Sequence, residues 1–210
     1  MFYYKQSPWI IRRVEGEENS IFLTFDDGPD PESTPPILNL LRAHGVRTSF
    51  FVIGEKARQH PDLIERMYAE GHSVHSHSLD HRYDVYFKNK ALLKDWICES
   101  LTALTVQTGQ KHSCFRPPAG VITPPLVEAS RELKVPLILW NHRFFDTTLP
   151  WTPRKALANA GSVTSGDIVL LHDQQKQVRL PAFLTTLEIY LAALQQRGFR
   201  LRALSETGLV

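Results

Sequence analysis

Short apolar runs alternate with longer amphipathic segments along the chain. Seven runs have the length and composition of strands: residues 21–25, 48–53, 73–75, 113–115, 135–140, 168–171 and 199–204. Between them, apolar positions three and four apart predict helices, as at Leu92, Leu93, Trp96, Ile97, Leu101 and Leu104. Strands that alternate with helices predict an α/β fold with a parallel sheet, either open or closed into a barrel.

Proline and glycine mark the ends of two further helices. One begins near Pro61 and ends before Gly71, and the other runs from Pro181 to about residue 197 and ends at Gly198. No internal repeat, low-complexity tract or flexible linker divides the sequence. Residues 1–210 are therefore predicted to form a single domain.

The composition argues against several classes of protein. The chain is 42% hydrophobic and 22% charged, which is typical of a globular protein rather than a disordered or fibrous one. A formal net charge of +2 without a basic stripe does not predict a nucleic-acid partner. No apolar run approaches the roughly 18 residues that a membrane span needs. Cys98 and Cys114 are predicted to be two ordinary buried thiols.

Five of the predicted strands are followed by clusters of polar residues: TFDDGP, HSHSLDH, FRPPAG, WNHRFFD and LLHD. The carboxyl ends of parallel strands meet at one rim, where barrels of this kind assemble their active sites. The sequence therefore predicts one active site that is built from five separate segments.

Two adjacent carboxylates, Asp26 and Asp27, follow the first of these strands and precede Gly28. Adjacent carboxylates repel each other unless a cation or an arginine compensates their charge. A metal site is therefore one interpretation, and a solvent-exposed Asp-Gly turn is another. Phosphoryl transfer at a magnesium site is disfavoured because the sequence has no glycine-rich phosphate-binding loop.

Four of the nine histidines lie close together, at His72, His75, His77 and His81. This density favours metal binding over a purely structural role. His77 and His81 are four residues apart and would meet on one helical turn, whereas His75 and His77 could share a strand face. Spacing alone leaves both pairs open. Two histidines and one carboxylate would leave a coordination position open for catalysis.

Three polar groups in the later segments are candidates for roles in catalysis. Two prolines after Arg116 lack amide hydrogens and stiffen the loop, so the N–H of Ala119 becomes a directed donor that suits an oxyanion. A rigid connection is the alternative role for this loop. His172 is a candidate acid and Asp146 a candidate partner that orients its ring. Each of the two is also compatible with a structural role.

The five segments in this order resemble the polysaccharide deacetylase family (carbohydrate esterase family four), with its peptidoglycan and chitin deacetylases. The resemblance covers about residues 21–173. It implies a distorted (β/α)7 TIM-like barrel of the NodB-homology type. It also implies one divalent metal ion, zinc in the first place, with cobalt, manganese or nickel as alternatives.

The resemblance assigns the metal ligands and the base. Asp27, His77 and His81 become the three ligands, which chooses between the histidine pairs that spacing left open. Asp26 becomes the catalytic base, and Arg116 becomes the residue that tethers it.

The resemblance also assigns the acid and the substrate groove. His172 becomes the general acid, and Asp146 holds it. The N–H of Ala119 would bind the oxyanion, and Leu170 would line the pocket for the acetyl methyl group. Pro118 and Trp140 complete the predicted substrate-binding residues.

Two positions depart from the family pattern. Ala119 and Thr147 each stand where the family usually has an aromatic residue, which puts substrate preference in doubt more than activity. Phe144, Phe145 and Trp151 either replace the missing aromatic surface or belong to the core.

The implied function is the hydrolysis of N-acetyl groups from N-acetylglucosamine units of a polysaccharide, first peptidoglycan and then chitin-type oligomers. An acetyl xylan esterase is the alternative, because nothing in the sequence separates an ester from an amide substrate. A non-catalytic glycan-binding relative is disfavoured, since base, acid and all three ligands are present. The sequence does not indicate an oligomeric state.

The start of the chain, MFYYKQSPWIIRR, lacks the apolar core and cleavage site of a secretory signal. A cytoplasmic protein is one interpretation. Because a cell-wall substrate requires export, we expect instead a protein of the periplasm or cell wall whose signal has been removed.

Overall fold

The computed structural model describes residues 7–207, which form eight strands and seven α-helices. The strands are β1 (Ile10–Ile11), β2 (Ser20–Asp26), β3 (Ser49–Val52), β4 (Ser73–Ser76), β5 (Leu137–Ile138), β6 (His142–Arg143), β7 (Ile168–His172) and β8 (Arg200–Leu201). The α-helices are α1 (Thr34–Ala43), α2 (Gly54–Gln59), α3 (Pro61–Ala69), α4 (Lys90–Thr108), α5 (Pro124–Leu133), α6 (Pro153–Ser162) and α7 (Leu180–Gln196). Short 3₁₀ helices span Asp84–Phe87, Pro118–Gly120 and Leu204–Thr207. The first residues of the N-terminal segment lie outside the described range.

The strands form a distorted parallel barrel, as predicted. Their order is β4-β3-β2-β7-β6, with β8 beside the start of β2, and β1 pairs with β5 in a second small sheet. Phe115 joins the two sheets, because it bridges Ser76 of β4 to Leu137 of β5. The segment that contains β5 and β6 then leads back to β7, where the amide of Asn141 donates to the carbonyl of Ile168 at 3.1 Å.

Strand β2 is buried along its whole length and connects the core to the rim. Ile21, Leu23 and Phe25 face outwards into the cluster that includes the buried face of α7. Side chains alternate along a strand, so Phe22, Thr24 and Asp26 share the inner face. Phe22 packs there with Phe51, Ile138 and Ile168. Asp26 therefore stands at the carboxyl end of the barrel interior.

Three predicted strands are shorter in the structure than in the prediction. In the run 113–115, only Phe115 pairs with the neighbouring strands, because Pro117 and Pro118 follow it and have no amide hydrogens. The run 135–140 is shortened to β5, and a separate strand that was not predicted, β6, follows it at His142–Arg143, where the chain pairs with β7 instead of β1. The run 199–204 pairs only at Arg200 and Leu201, since β3 occupies the same edge of β2 from Thr24 onwards.

The predicted helices occur at the expected positions. The periodic segment lies in α4, and the two segments that begin with proline are α3 and α7. Gly71 and Gly198 follow α3 and α7, each with a φ of +81°, which is the left-handed conformation that ends a helix. Within residues 7–207, no helix is long and apolar enough to cross a membrane. Both cysteines are free thiols, as predicted, but only Cys114 is buried, and the predicted burial of Cys98 is wrong because this residue is exposed on α4.

Candidate active site

The rim of the barrel begins where β2 ends. Asp26 lies opposite His172, the last residue of the neighbouring strand β7. The next residue, Asp27, has a φ of +74°, which turns the chain out of the strand. Gly28 follows, and a Cβ at this position would collide with the carboxylate of Asp173. The Asp-Gly sequence is therefore a closely packed turn and not an exposed one.

Asp27, His77 and His81 come together at this rim. The Oδ1 atom of Asp27 lies 3.4 Å from Nε2 of His77 and 3.2 Å from Nε2 of His81. The ligand atoms of the three residues all lie within 4.8 Å of one another. Among residues 7–207, this is the one group of three or more such side chains with that geometry. It is a candidate metal-binding site.

The surroundings of the two histidines fit a metal ion. Nδ1 of His77 lies 2.8 Å from the carbonyl oxygen of Arg116, to which it donates, so Nε2 is left with a free lone pair. His81 is placed by its amide, which donates to Oγ of Ser78 at 2.9 Å. Two imidazoles and one carboxylate are a common ligand set for catalytic zinc, and they leave a coordination position open.

Charge at the site favours an ionised Asp27. Burial alone would raise the pKa of this carboxyl, but hydrogen bonds with His77 and His81, together with charge interactions with His77 and His172, outweigh it. The pKa of Asp27 is therefore well below its usual range, and the carboxylate is available as a ligand.

Asp26 is held by a buried arginine. Arg116 is 0% exposed, and its Nη1 donates to Oδ1 of Asp26 at 2.6 Å and to Oγ1 of Thr24 at 2.8 Å. Its Nε donates to the carbonyl of Ile138, and the guanidinium stacks 3.7 Å above the ring centroid of Phe51. Oδ2 of Asp26 faces the other way, 3.7 Å from Nε2 of His77. Asp26 thus has one oxygen tethered and the other beside the ligand group.

His172 and Asp146 form a second charge pair. Nδ1 of His172 lies 2.8 Å from Oδ1 of Asp146, and the His172 amide donates to the other oxygen at 2.9 Å. Burial would lower the pKa of His172, but Asp146, with smaller contributions from Asp26 and Asp27, raises it to about 9. A metal dication beside Asp27 would offset part of that increase. The imidazole is placed to carry a proton on Nε2.

The loop after Arg116 carries the predicted oxyanion donor. Ala119 is exposed and has a φ of +53°. Within the described chain, the amides of Gly120 and Val121 donate to the carbonyls of Pro117 and Pro118, and the Ala119 amide donates to no backbone group. The Ala119 N–H is therefore available to a ligand.

Trp140 and Tyr86 pack against this loop, which also contains Pro118. A Cβ at Gly120 would meet the ring of Trp140 at 2.5 Å, so the indole packs directly against the loop. The hydroxyl of Tyr86 donates to the carbonyl of Pro118 at 2.9 Å. Leu170 is buried in β7, two residues before His172 and on the same strand face. All three lie next to the candidate catalytic residues.

Two further histidines that the sequence offered as candidate metal ligands lie away from the metal site. His75 lies inside the barrel, where its Nε2 is 2.9 Å from Oγ of Ser73 and its ring is tilted against that of Phe51. His72 accepts a hydrogen bond from the amide of Thr48. Neither belongs to the ligand group.

The aromatic residues after Trp140 divide between core and surface. Phe144 and Trp151 pack against Tyr190 in the core. Phe145 is 48% exposed, and the guanidinium of Arg143 lies 3.7 Å above its ring. Of the three possible replacements for the missing aromatic residues, only Phe145 offers a surface.

Sequence reasoning missed several supporting residues. Gln175 donates to Asp146 at 3.0 Å, which supplies support where Thr147 lacks bulk. The buried Asp173 accepts from Thr34 at 2.6 Å, and Lys56 donates to the carbonyl of Asp27 at 2.6 Å. Asp173 stands in the LLHD motif and could have been suspected. Nothing in the sequence pointed to Gln175 or Lys56.

Comparison with known proteins identifies the family. The model of the polysaccharide deacetylase family matches residues 13–138. The chain belongs to the polysaccharide deacetylase family. The matched region includes the three candidate metal ligands, Asp26 and Arg116.

Two curated relatives carry names that describe activities. One is the peptidoglycan-N-acetylglucosamine deacetylase PgdA of Listeria monocytogenes, 34% identical over 193 residues, which cover 89% of this chain and 38% of that protein. The chain thus spans about two fifths of that relative. The other is a chitooligosaccharide deacetylase of Bradyrhizobium sp., 31% identical over 93% of this chain and 95% of that protein.

A solved structure shares the fold almost throughout. The crystal structure of the Bc1960 peptidoglycan N-acetylglucosamine deacetylase, in complex with a naphthyl N-hydroxybenzamide, superposes with a TM-score of 0.87. The match covers 99% of this chain and 96% of that one at 24% sequence identity. It confirms the predicted barrel of the deacetylase type.

Proposed function

We propose that this protein is a metal-dependent hydrolase that removes the acetyl group from N-acetylglucosamine units of a polysaccharide. The observation that carries the proposal is the position of two charge pairs on neighbouring strands. Asp26 with Arg116 and His172 with Asp146 face the same rim beside a three-ligand group. A base, an acid and a metal site are the components that amide hydrolysis needs.

Asp27, His77 and His81 would hold the metal, for which zinc is the first candidate because imidazole and carboxylate ligands suit it. When bound, a divalent metal supplies Lewis acidity, which activates a water molecule and polarises the acetamide carbonyl. Cobalt, manganese and nickel are alternatives with the same ligand set.

The chain's own residues would then move two protons. Asp26 would accept a proton from the water that attacks the carbonyl carbon, while Arg116 keeps its carboxylate in place. The Ala119 N–H would donate to the oxyanion of the tetrahedral intermediate. His172 would protonate the departing nitrogen, because an amine anion is a very poor leaving group. The C–N bond breaks, and the products are acetate and a glucosamine unit.

Peptidoglycan is the first substrate that we propose, and the Listeria relative supports it. Chitin-type oligomers are the second candidate, because the chitooligosaccharide deacetylase matches this chain over nearly its whole length. A peptidoglycan substrate would place the protein outside the cytoplasm, at the cell wall.

Acetate release tests both the reaction and the substrate. The zinc-loaded protein is incubated with peptidoglycan, an N-acetylglucosamine tetramer and acetylated xylan. Protein whose metal has been removed with a chelator and the zinc-loaded Asp26→Asn variant are the controls. We expect acetate from the first two substrates and little from either control. Acetate from xylan alone would show an esterase. No acetate from any glycan, with metal bound, would contradict the proposal.

A further inference from the structure

Arg143 lies in β6, on the side of the barrel that also carries the candidate acid. Strand β6 pairs with β7 so that Arg143 lies opposite Leu170, two residues before His172. Side chains alternate along a strand and paired residues share a face of the sheet, so Arg143 lies on the same face as Leu170 and His172. Its side chain is exposed at that rim.

Two aromatic rings hold the guanidinium of Arg143 in place. Its central carbon lies 3.7 Å from the ring centroid of Phe145 and 5.7 Å from that of Trp140. Trp140 in turn packs against Gly120, the residue directly after Ala119. The positive charge is therefore fixed beside the loop that carries the candidate oxyanion donor.

The backbone at Phe145 has a conformation that bulky residues rarely adopt. Its φ is +57°, in the left-handed region, where a Cβ atom is unfavourable. The amides of Thr148 and Leu149 donate to its carbonyl at 3.0 and 2.8 Å and keep the turn in this form. Strained residues of this kind are concentrated at ligand sites. Here the turn places one face of the Phe145 ring against Arg143, so that face is not available to a sugar.

No carboxylate of the described chain neutralises Arg143. Within residues 7–207, its guanidinium makes no ion pair and no hydrogen bond. Asp146, the nearest carboxylate along the chain, is already bound by His172 and Gln175. Stacking uses only the face of a guanidinium, so the N–H groups at its edge are available to an acceptor.

We propose that Arg143 is a binding site for a carboxylate of the substrate and that it favours an anionic glycan over a neutral one. A guanidinium binds a carboxylate through two parallel hydrogen bonds. The inference rests on the proposed function, because it assumes a glycan at the metal site. It adds a reason for peptidoglycan, whose alternate sugars carry carboxylates on their lactyl groups or stem peptides, whereas chitin has none.

Calorimetry on zinc-loaded Asp26→Asn protein measures binding without turnover. Three probes share a tetrasaccharide of alternating N-acetylglucosamine and N-acetylmuramic acid: one has free lactyl carboxylates, one has lactyl amides, and one carries stem peptides. We expect a fragment with carboxylates to bind roughly fivefold more tightly than the amide, as an exposed ion pair with two hydrogen bonds allows. Whether the lactyl or the peptide fragment has this advantage identifies the carboxylate that is bound.

Substitutions in the same background test the residue. Arg143→Gln removes the charge but keeps a polar side chain, and it should abolish the advantage of the carboxylate fragment. Its affinity for the amide fragment and for a neutral N-acetylglucosamine tetramer should stay unchanged. Phe145→Leu removes the stacking platform and should reduce the same advantage to a smaller extent.

Arg131→Gln is the matched control. Arg131 is an exposed arginine in the last turn of α5, which leads to the start of β5 and so lies at the opposite end of the barrel. This variant should bind all the probes as the parent protein does. Zinc content and thermal unfolding identify variants that are merely misfolded.

Equal affinities of the parent protein for the amide fragment and both carboxylate fragments would overturn the proposed site. An advantage that persisted in Arg143→Gln would overturn it as well. If wild-type protein released no acetate but the charge preference held, the proposed reaction would fail and the Arg143 site would stand. Acetate release without a charge preference would have the opposite meaning.

Discussion

Nδ1 of His77 lies 2.8 Å from the carbonyl oxygen of Arg116, so the backbone of the arginine that tethers Asp26 also orients a candidate metal ligand. The same residue therefore acts on both halves of the site. Its guanidinium fixes the candidate base, and its carbonyl fixes the tautomer of His77. A shift of the backbone at Arg116 would disturb base and metal site together.

We expect one divalent metal ion per chain, bound by Asp27, His77 and His81. His81→Ala removes one of three ligands and should reduce zinc content to a small fraction of the wild-type value. His44→Ala changes a histidine that hydrogen bonds to Gln195 far along the chain and should not affect zinc. Elemental analysis of the dialysed proteins measures the difference. Full zinc content in the His81 variant would show that the assignment is wrong.

Asp26→Asn should lower turnover on the order of a hundredfold or more while zinc content stays near that of wild type. The asparagine can still accept a hydrogen bond from Arg116, so the fold should be retained, but it cannot take up a proton. Initial rates of acetate release and zinc content are measured on the same samples. A variant that bound zinc and kept most of its turnover would require another base.

Asp146→Asn should move the alkaline limit of kcat to lower pH. His172 must be protonated to act as the acid, so activity is lost as pH rises through its pKa. Burial lowers that pKa and the Asp146 carboxylate raises it, so loss of the carboxylate charge lowers it. A pH profile of kcat for both proteins, each loaded with zinc, measures the shift. An alkaline limit at unchanged pH would remove Asp146 from this role.

Arg116→Ala should lower the free energy of unfolding by about 3–5 kcal/mol, because it leaves the buried Asp26 without its partner. Lys94→Ala breaks an ion pair with Glu132 at the surface, and such solvent-screened pairs contribute little to stability. Urea denaturation of the two metal-free variants gives the comparison. Similar losses in both would show that the Arg116 pair stabilises the fold no more than a surface pair does.

The side chain of Ala119 should determine the range of substrates, whereas its backbone N–H takes part in the chemical step. Ala119→Gly keeps the N–H and suits the φ of +53°, so it should retain activity. Ala119→Pro removes the N–H and cannot adopt that φ, so it should impair activity on every substrate.

Ala119→Tyr keeps the N–H but narrows the groove. It should retain activity on a short oligomer and lose it on intact peptidoglycan, as measured by acetate release from each. Equal effects of tyrosine on both substrates would count against the groove argument. An active proline variant would exclude the backbone donor.

The sequence predicted the parts of the fold and site that depend on local pattern. Periodicity located α3, α4 and α7, and polar residues at strand ends located the rim. The shortening of 135–140 to β5, and the separate strand β6 after it, depend on which neighbouring strand each residue pairs with, and this is decided by tertiary contacts. The role of Gln175 likewise depends on its contact with Asp146, which is 29 residues away in the chain. No local sequence pattern predicts such a contact.

The order of the candidate ligands along the chain has a consequence for biosynthesis. Asp27, His77 and His81 all precede Arg116, Asp146 and His172. A chain that leaves the ribosome amino end first would expose the whole ligand set before β7, a neighbour of β2, has been made. Zinc captured at that stage would join β2 to the end of β4 and reduce the entropy cost of closing the rest of the barrel. The ligand set is thus complete along the chain before Arg116, Asp146 and His172 are reached.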